Sequence, residues 1–194
     1  DWVVKKTIFP QFCGGENLLD CQNVIDELYD YNVLTVLDYG AEGKSGEENL
    51  DATMEETLRA VEMAASNDSV PMISTKITGL VDQKILHKLH DGEVLTEGEQ
   101  RGFEHLRERI DEICSRAASH NVGIFIDAEE SWMQKPIDDL AMEMMEKYNT
   151  SQAIVYNTYQ MYKTASLPNL KKDHQKALEK GYILGAKLVR GAYM

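Results

Sequence analysis

Residues 122–130, VGIFIDAEE, decide the fold, because a short apolar run there ends abruptly in acidic residues. Such a run is typical of a buried strand, and a longer segment with helical periodicity follows it. Runs of this kind recur about every 30 to 50 residues, the repeat of a barrel built from strand–helix units. The five runs are Val33–Tyr39, Pro71–Ile77, Val122–Ala128, Ala153–Tyr159 and Tyr182–Arg190. We therefore expect an α/β chain with about five of the eight units of a (βα)8 TIM-type barrel.

The segments outside these runs carry apolar residues at helical spacing. One predicted helix, at about residues 16–31, precedes the first strand, and others cover 50–65, 103–117, 137–148 and 167–180. Thr96 and Glu99 predict a capping box, and Gly181 predicts a helix end. On the last helix, His174 lies among apolar residues, so we expect it to be partly buried. A polar loop is expected at residues 44–49.

The chain is interpreted as one domain, an incomplete barrel over residues 1–194, because no Pro- or Gly-rich linker interrupts it. An open, doubly wound sheet is the alternative arrangement of five parallel strands. The dinucleotide-binding version of that sheet carries a G-x-G-x-x-G turn after a strand. None of the five runs is followed by such a turn, so the barrel is favoured.

The composition argues against several kinds of partner. The 20 Lys and Arg residues against 33 Asp and Glu residues give a net charge of -13, which repels a nucleic-acid backbone. No apolar run approaches the roughly 18 residues that span a bilayer. Cys13, Cys21 and Cys114 lack the spacing of a zinc site, so we expect reduced thiols. His87 and His90 lack a third ligand nearby, and no metal site is expected.

The candidate chemistry lies where the predicted strands end. After each apolar run the sequence changes to charged or polar residues. In this type of barrel the carboxyl ends of the strands meet at one mouth, where reactive groups lie. Opposite charges gathered there suit a zwitterionic or anionic ligand. The residues concerned are Asp38, Glu42, Lys76, Thr78, Asp127, Glu129, Glu130, Asn157, Gln160, Lys187 and Arg190.

Side-chain alternation groups some of these residues on one strand face. Asp127 shares a face with Phe125. By the same parity, Lys187 shares a face with Val189 and is separated from Arg190. The sequence alone leaves open which face points into the barrel. It contains no G-x-S-x-G turn and no His near a Ser or Cys in a recognisable spacing, so hydrolysis by a catalytic triad is not supported.

Five short motifs, in this order and at barrel spacing, carry a family resemblance. The motifs are FCGGE at 12–16, LDYGAEG at 37–43, STKITGL at 74–80, IDAEESW at 126–132 and KLVRGAY at 187–193. Together they cover nearly the whole chain, and the last two are the most specific. The chain resembles the proline dehydrogenase family.

This resemblance implies an enzyme with noncovalent FAD at the barrel mouth. The implied reaction oxidises L-proline to 1-pyrroline-5-carboxylate, with a hydride passing to the flavin and electrons leaving to a membrane quinone. It also implies a bacterial cytoplasmic enzyme with peripheral membrane contact, or a mitochondrial enzyme at the inner membrane or matrix if the source is eukaryotic. Nucleic acid is not an implied partner.

The resemblance also assigns roles by motif position. Lys76 resembles the lysine that holds the proline carboxylate, and Asp127 the acid that orders the site. Lys187 resembles a cation near the reactive flavin nitrogen. These three are the implied catalytic residues. The implied cofactor contacts are Asn157 or Gln160 at the flavin ring, with Lys187, Arg190 and Gly191, and the implied substrate contacts are Lys76, Leu188 and Tyr193.

What the resemblance leaves unmatched is the later part of the barrel, including a helix whose paired arginines clamp the substrate carboxylate. We expect the sequence to be a piece of a longer gene product and expect that the piece alone is inactive. Two other functions stay open. One is a Schiff-base aldolase or lyase barrel that uses Lys76 or Lys187 as the amine nucleophile. The other is a truncated barrel without catalysis that serves as an interaction module.

Overall fold

Five parallel strands form one sheet in the computed structural model, which describes residues 2–40, 43 and 45–190 apart from the side chain of Lys5. The strands pair in chain order, each with the next. They are β1 Val36–Asp38, β2 Met72–Thr75, β3 Gly123–Ile126, β4 Val155–Gln160 and β5 Ala186–Val189. All five predicted runs are therefore confirmed as strands, and each strand is shorter than its run, because the flanks of the run continue into the loops.

Eight α-helices accompany the strands in the described residues. They are α1 Trp2–Thr7, α2 Phe9–Phe12, α3 Leu18–Asp30, α4 Glu47–Ala65, α5 Gln83–Asp91, α6 Glu97–His120, α7 Gln134–Tyr148 and α8 Ser166–Lys180. A 3₁₀ turn at Ile77–Gly79 follows β2. After β1, each strand is separated from the next by helix, as a right-handed parallel crossover requires.

The predicted loop at 44–49 is shorter than expected. Helix α4 begins at Glu47, directly after Gly46, whose φ of 84° is in the region that glycine tolerates best. Glu47 and Glu48 then occupy the first turn, where negative charge is favourable next to the helix dipole. Lys44 lies outside the described residues.

The predicted helix ends are confirmed. The Thr96 hydroxyl accepts a hydrogen bond from the Glu99 amide at 3.3 Å, and the Glu99 carboxylate accepts one from the Thr96 amide at 2.8 Å. A hydrogen bond from Lys88, together with those from Thr96, lowers the pKa of Glu99 to about 2. Gly181 ends α8 with a φ of 78°.

The core lies between the outer face of the sheet and the helices. On β3, Ile124 and Ile126 are fully buried in this layer, whereas Phe125 alternates to the inner face. The ladder places Tyr156 opposite Phe125, and Lys187 opposite Thr158 on the same inner face. The structure thus settles which face points into the barrel: the one that carries Asp127 and Lys187.

Helix α8 differs from its prediction. His174 is exposed, where partial burial was expected, and Leu178 is also exposed. Of the apolar residues near His174 on α8, Ala177 packs into the core. The buried face of α8 is therefore narrower than the apolar spacing of its sequence predicted.

The three cysteines are free thiols, and burial raises the pKa of Cys114. Within the described part of the chain, no group of three or more His, Cys, Asp or Glu residues is placed to hold a metal ion. No described helix is long and apolar enough to cross a bilayer.

Candidate active site

Four charged side chains meet at the carboxyl end of the sheet. They come from the ends of four different elements: Asp38 from β1, Lys76 after β2, Asp127 after β3 and Lys187 on β5. The Lys76 ammonium lies 3.1 Å from an Asp38 oxygen and 3.8 Å from an Asp127 oxygen. The other Asp127 oxygen accepts a hydrogen bond from Lys187 at 2.5 Å. We call these four residues the mouth cluster.

Asp127 is the centre of the mouth cluster, because it lies between Lys76, which follows β2 on one side of β3, and Lys187, which comes from β5 on the other side. Its side chain is 16 % exposed and that of Lys76 is 13 % exposed. Charges this sheltered from water interact more strongly than surface pairs, so each fixes the position of the others. The arrangement holds two ammonium groups at the mouth with carboxylates beside them.

Aromatic rings form the floor below the mouth cluster. The Lys187 ammonium lies 4.9 Å from the centroid of the Phe125 ring, and Phe125 meets Tyr156 edge to face with centroids 5.5 Å apart. Both rings are on the inner face of the sheet. The site therefore offers charge at its rim and flat apolar surface beneath it, a combination that suits a small polar ligand and an aromatic ring system.

The two candidate flavin contacts on β4 lie on opposite faces. Asn157 is fully buried in the outer layer, where its amide donates to Asp138 of α7 at 3.0 Å. Gln160 has the inward parity and donates to the main-chain oxygen of Glu129 at 3.2 Å. Its own Oε1 is buried without a hydrogen-bond partner among the described residues. The geometry thus places Gln160 on the inner face beside Glu129 and Asn157 on the outer face against α7.

The remaining predicted residues lie at the end of β5. Leu188 pairs with Tyr159 in the ladder and so belongs to the outer face, opposite Lys187, where it is exposed. The structure therefore does not bring Leu188 to the mouth cluster, because strand alternation turns its side chain away. Arg190 follows by the same parity and is exposed. Gly191 and Tyr193 lie outside the described residues.

A comparison with known protein families agrees with this geometry. The profile described as "Proline dehydrogenase" matches residues 21–194, almost the whole chain, and includes every residue of the mouth cluster. This chain belongs to the proline dehydrogenase family.

Individual relatives agree with this family assignment. The "Carbapenem antibiotics biosynthesis protein CarD" of Pectobacterium carotovorum is 31 % identical over 94 % of this chain and 49 % of its own length. "Proline dehydrogenase 1, mitochondrial" of Dictyostelium discoideum is 28 % identical over all of this chain and 41 % of its own. The chain thus spans about half the length of these curated relatives.

A solved structure supports the fold. Proline utilization A from Bdellovibrio bacteriovorus, in a crystal structure of the enzyme inactivated by N-propargylglycine, superposes with a TM-score of 0.79 at 17 % identity. The match covers 98 % of this chain and 21 % of that one. The five-stranded sheet is therefore part of a TIM-like barrel, as the spacing of the runs predicted.

Sequence reasoning placed Thr78 and Glu129 at strand ends, but it missed Gln134 and Asp138, which join them in a second set of polar residues behind the mouth of this proline dehydrogenase fold. Glu129 is 5 % exposed and accepts hydrogen bonds from both the amide and the hydroxyl of Thr78. Gln134 joins the Glu129 amide to Asp138. Burial is the main cause that raises the pKa of Asp138. The signal available in the sequence was the acidic pair that follows Ala128, of which alternation alone could not identify the buried member.

A groove of about 530 Å³ lies on the outer side of this region, between α7 and α8. Asp138, Tyr159 and Asp173 are among the residues that line it, and the Tyr159 hydroxyl donates to Asp173 at 3.0 Å. Burial, together with the charge of Asp173, raises the pKa of Tyr159. Gln160 also lines this groove, whereas none of the four residues of the mouth cluster does.

Proposed function

We propose that this chain carries part of the active site for FAD-dependent oxidation of L-proline to 1-pyrroline-5-carboxylate, the entry step of proline catabolism. The observation that carries the proposal is the position of Asp127 between Lys76 and Lys187. These three residues come from or directly follow three separate strands, and all lie within the range that the proline dehydrogenase profile matches. We assign all three catalytic roles.

The residues at the mouth fit a flavin. The unpartnered Oε1 of Gln160 is a buried acceptor for a ring N–H, and the ammonium of Lys187 supplies positive charge beside the inner face. The rings of Phe125 and Tyr156 provide apolar surface next to that charge. When bound, FAD supplies the acceptor for the hydride that leaves the carbon next to the proline nitrogen.

The chain's own residues would bind and orient the zwitterionic substrate. Lys76 offers a compact ammonium for the proline carboxylate, and Asp38 and Asp127 hold that ammonium in place from two sides. Such fixed positioning is what a hydride transfer requires, because donor carbon and acceptor must be held in line. The ion pairs also keep the mouth ordered before substrate arrives.

Other assignments rest on motif position. Arg190 is proposed to contact the phosphate or ribityl part of FAD, and Gly191 to allow close approach of the cofactor. Tyr193 is proposed to pack against the substrate ring. The outward positions of Asn157 and Leu188 count against direct contacts by these two, so Gln160 is preferred at the flavin ring.

The Schiff-base alternative is less well supported. An amine nucleophile must be uncharged to attack a carbonyl, and desolvation without a counter-ion is the usual way to achieve this. Lys76 and Lys187 both lie against carboxylates, so neither amine is desolvated without a counter-ion. The ion pairs therefore support a binding and electrostatic role for both lysines.

The electron acceptor and the cellular site complete the proposal. We propose a quinone as acceptor, which requires peripheral contact with a membrane. The setting is then the cytoplasmic face of a bacterial inner membrane, or the mitochondrion, as the name of the Dictyostelium relative says of that protein. The net charge of -13 favours none of these settings.

The visible absorption spectrum of the purified full-length protein that contains this sequence, before and after anaerobic addition of L-proline, tests the proposal. Flavin bands that bleach on addition of proline are the expected result. A protein that takes up no FAD from solution would contradict the flavin assignment. Borohydride trapping of a carbonyl substrate on Lys76 or Lys187 would then favour the Schiff-base alternative.

A further inference from the structure

Glu129 makes contacts in three directions, although it lies outside the mouth cluster. Its carboxylate accepts a hydrogen bond from the Thr78 amide at 3.1 Å and a second, short one from the Thr78 hydroxyl. Thr78 is two residues after Lys76, in the turn that follows β2. The carboxylate therefore fixes the segment that positions Lys76.

The main chain of Glu129 joins two further elements. Its carbonyl oxygen accepts a hydrogen bond from the side-chain amide of Gln160 at 3.2 Å. Its amide donates to the side chain of Gln134, in the first turn of α7, at 2.8 Å. The ends of β2, β3 and β4 are thus connected at one residue, two positions after Asp127.

This connection sets the orientation of the Gln160 amide. Because its Nε2 donates to Glu129, its Oε1 must point elsewhere, and that atom is buried without a partner in the described part of the chain. Gln160 is 4 % exposed, so water reaches it poorly. An amide oxygen in this condition is an acceptor that a bound N–H group would satisfy.

We propose that Glu129 is a positioning residue, which holds Lys76 and Gln160 in the geometry needed to bind substrate and a heterocyclic cofactor with an N–H donor. The inference rests on the proposed function, since it names the cofactor of that same site. Glu129 acts through Thr78 and through Gln160, and it needs no direct contact with either ligand.

The first test uses the protein without ligand. In Glu129→Gln, one carboxylate oxygen becomes an amide that cannot accept the Thr78 hydrogen bonds in the same way. Hydrogen exchange at the Thr78 amide, followed by NMR, should become about tenfold faster or more. Glu130→Gln is the matched control, because it makes the same chemical change at the next residue and should leave this rate unchanged. Equal rates in Glu129→Gln and the parent would overturn the proposal.

The second test measures ligand binding in the same variants. Glu129→Gln should weaken FAD binding about tenfold and raise the KM for proline, with a shifted flavin absorption band and an unchanged spectrum in Glu130→Gln. Combined with Thr78→Val, it should lose little more than the larger single variant, because the two residues act as one unit. Additive losses, or an FAD dissociation constant equal to that of the parent, would overturn the positioning role.

The two ideas fail in different ways. A parent protein that takes up no FAD contradicts the proposed function and, with it, the cofactor part of this inference. A parent that binds FAD and is matched by Glu129→Gln in affinity, KM and spectrum contradicts the positioning role alone. Folding of each variant is checked by its unfolding transition in urea.

Discussion

The two ends of the sheet are built from different chemistry. At the carboxyl end, the mouth cluster consists of charged side chains joined by ion pairs, and its outer member Asp38 is 44 % exposed. At the amino end, the neutral residue Asn149 is fully buried and its side chain makes four hydrogen bonds. These bonds join the end of α7 to the beginnings of β4 and β5.

The difference between the two ends of the sheet assigns ligand binding to the carboxyl end and fold stability to the amino end. The pair of Asp38 with Lys76 is partly solvated, and such a pair contributes about 0–1 kcal/mol, so a ligand can exchange it at little cost. Every polar atom of the Asn149 side chain is satisfied by main-chain groups, and a change there leaves several buried groups without partners. We therefore expect substitutions at the amino end to affect folding and substitutions at the carboxyl end to affect chemistry.

The largest effect is expected for Asn149→Ala. It removes the donors to Val155 and Ile183 and the acceptor of the Ile154 and Val155 amides. The free energy of unfolding should fall by about 4 kcal/mol, measured by urea denaturation. Asn169→Ala, at an exposed position of α8, is the control and should change it by less than about 0.5 kcal/mol. A small effect at Asn149 would remove the distinction between the two ends.

Gly185→Ala should be the next most damaging. An added Cβ would lie 2.2 Å from the Val155 carbonyl oxygen, so β4 and β5 would have to separate. A loss of about 3 kcal/mol is expected from such overpacking. At Gly98, in the first turn of α6, an added Cβ meets only the end of the Arg101 side chain at 3.9 Å, and the substitution should stabilise by about 0.5 kcal/mol. Thermal unfolding of both variants measures these two changes in stability.

Asp127→Asn should affect activity more than folding. It removes the negative charge between Lys76 and Lys187, so proline-dependent flavin reduction should fall about 100-fold. The free energy of unfolding should fall by about 2 kcal/mol, less than for Asn149→Ala, because the two lysines lose a partner but stay partly exposed to water. Asp139→Asn, at an exposed ion pair with Lys135 on α7, should leave the rate within about twofold. A loss of stability as large as that of Asn149→Ala would show that Asp127 belongs with the structural residues.

The smallest effect concerns Asp138, whose pKa is raised mainly by burial. A raised pKa means that the folded state binds the proton more tightly, so stability falls as pH rises from the ordinary aspartate pKa through the raised one. Asp138→Asn keeps an oxygen acceptor for Gln134 and Asn157 and should remove this slope. Above the raised pKa, the variant should equal or exceed the parent's stability by up to about 1 kcal/mol. Urea unfolding at a series of pH values measures the slope, and identical slopes would contradict this account.

Local sequence signals predicted the framework well. The run at 122–128 gave strand β3, and the Thr96 and Glu99 pair gave the start of α6, because both depend on residues close in sequence. Lys76, Asp127 and Lys187 were placed at strand ends from the same reasoning. Their mutual contacts bring together residues 51 and 60 positions apart, which periodicity does not encode.

The features that the sequence analysis did not predict also depend on contacts between distant parts of the chain or lack a local pattern. Helices α1 and α2 carry mostly exposed apolar residues, so no amphipathic pattern marked them. Asn149 appeared as an ordinary polar residue after a helix, and its burial depends on three elements meeting there. Glu129 was listed among the strand-end residues, but its pairing with Thr78 depends on the turn after β2.

The sequential strand order has a consequence for how the molecule is made. After β1, each strand pairs with the strand synthesised just before it. A partner strand is therefore already present when each of these strands leaves the ribosome. No strand in the described sheet has to wait for a distant segment before it finds an edge to join. The chain can therefore assemble vectorially during synthesis, one strand–helix unit at a time, with each new strand added at the edge opposite β1.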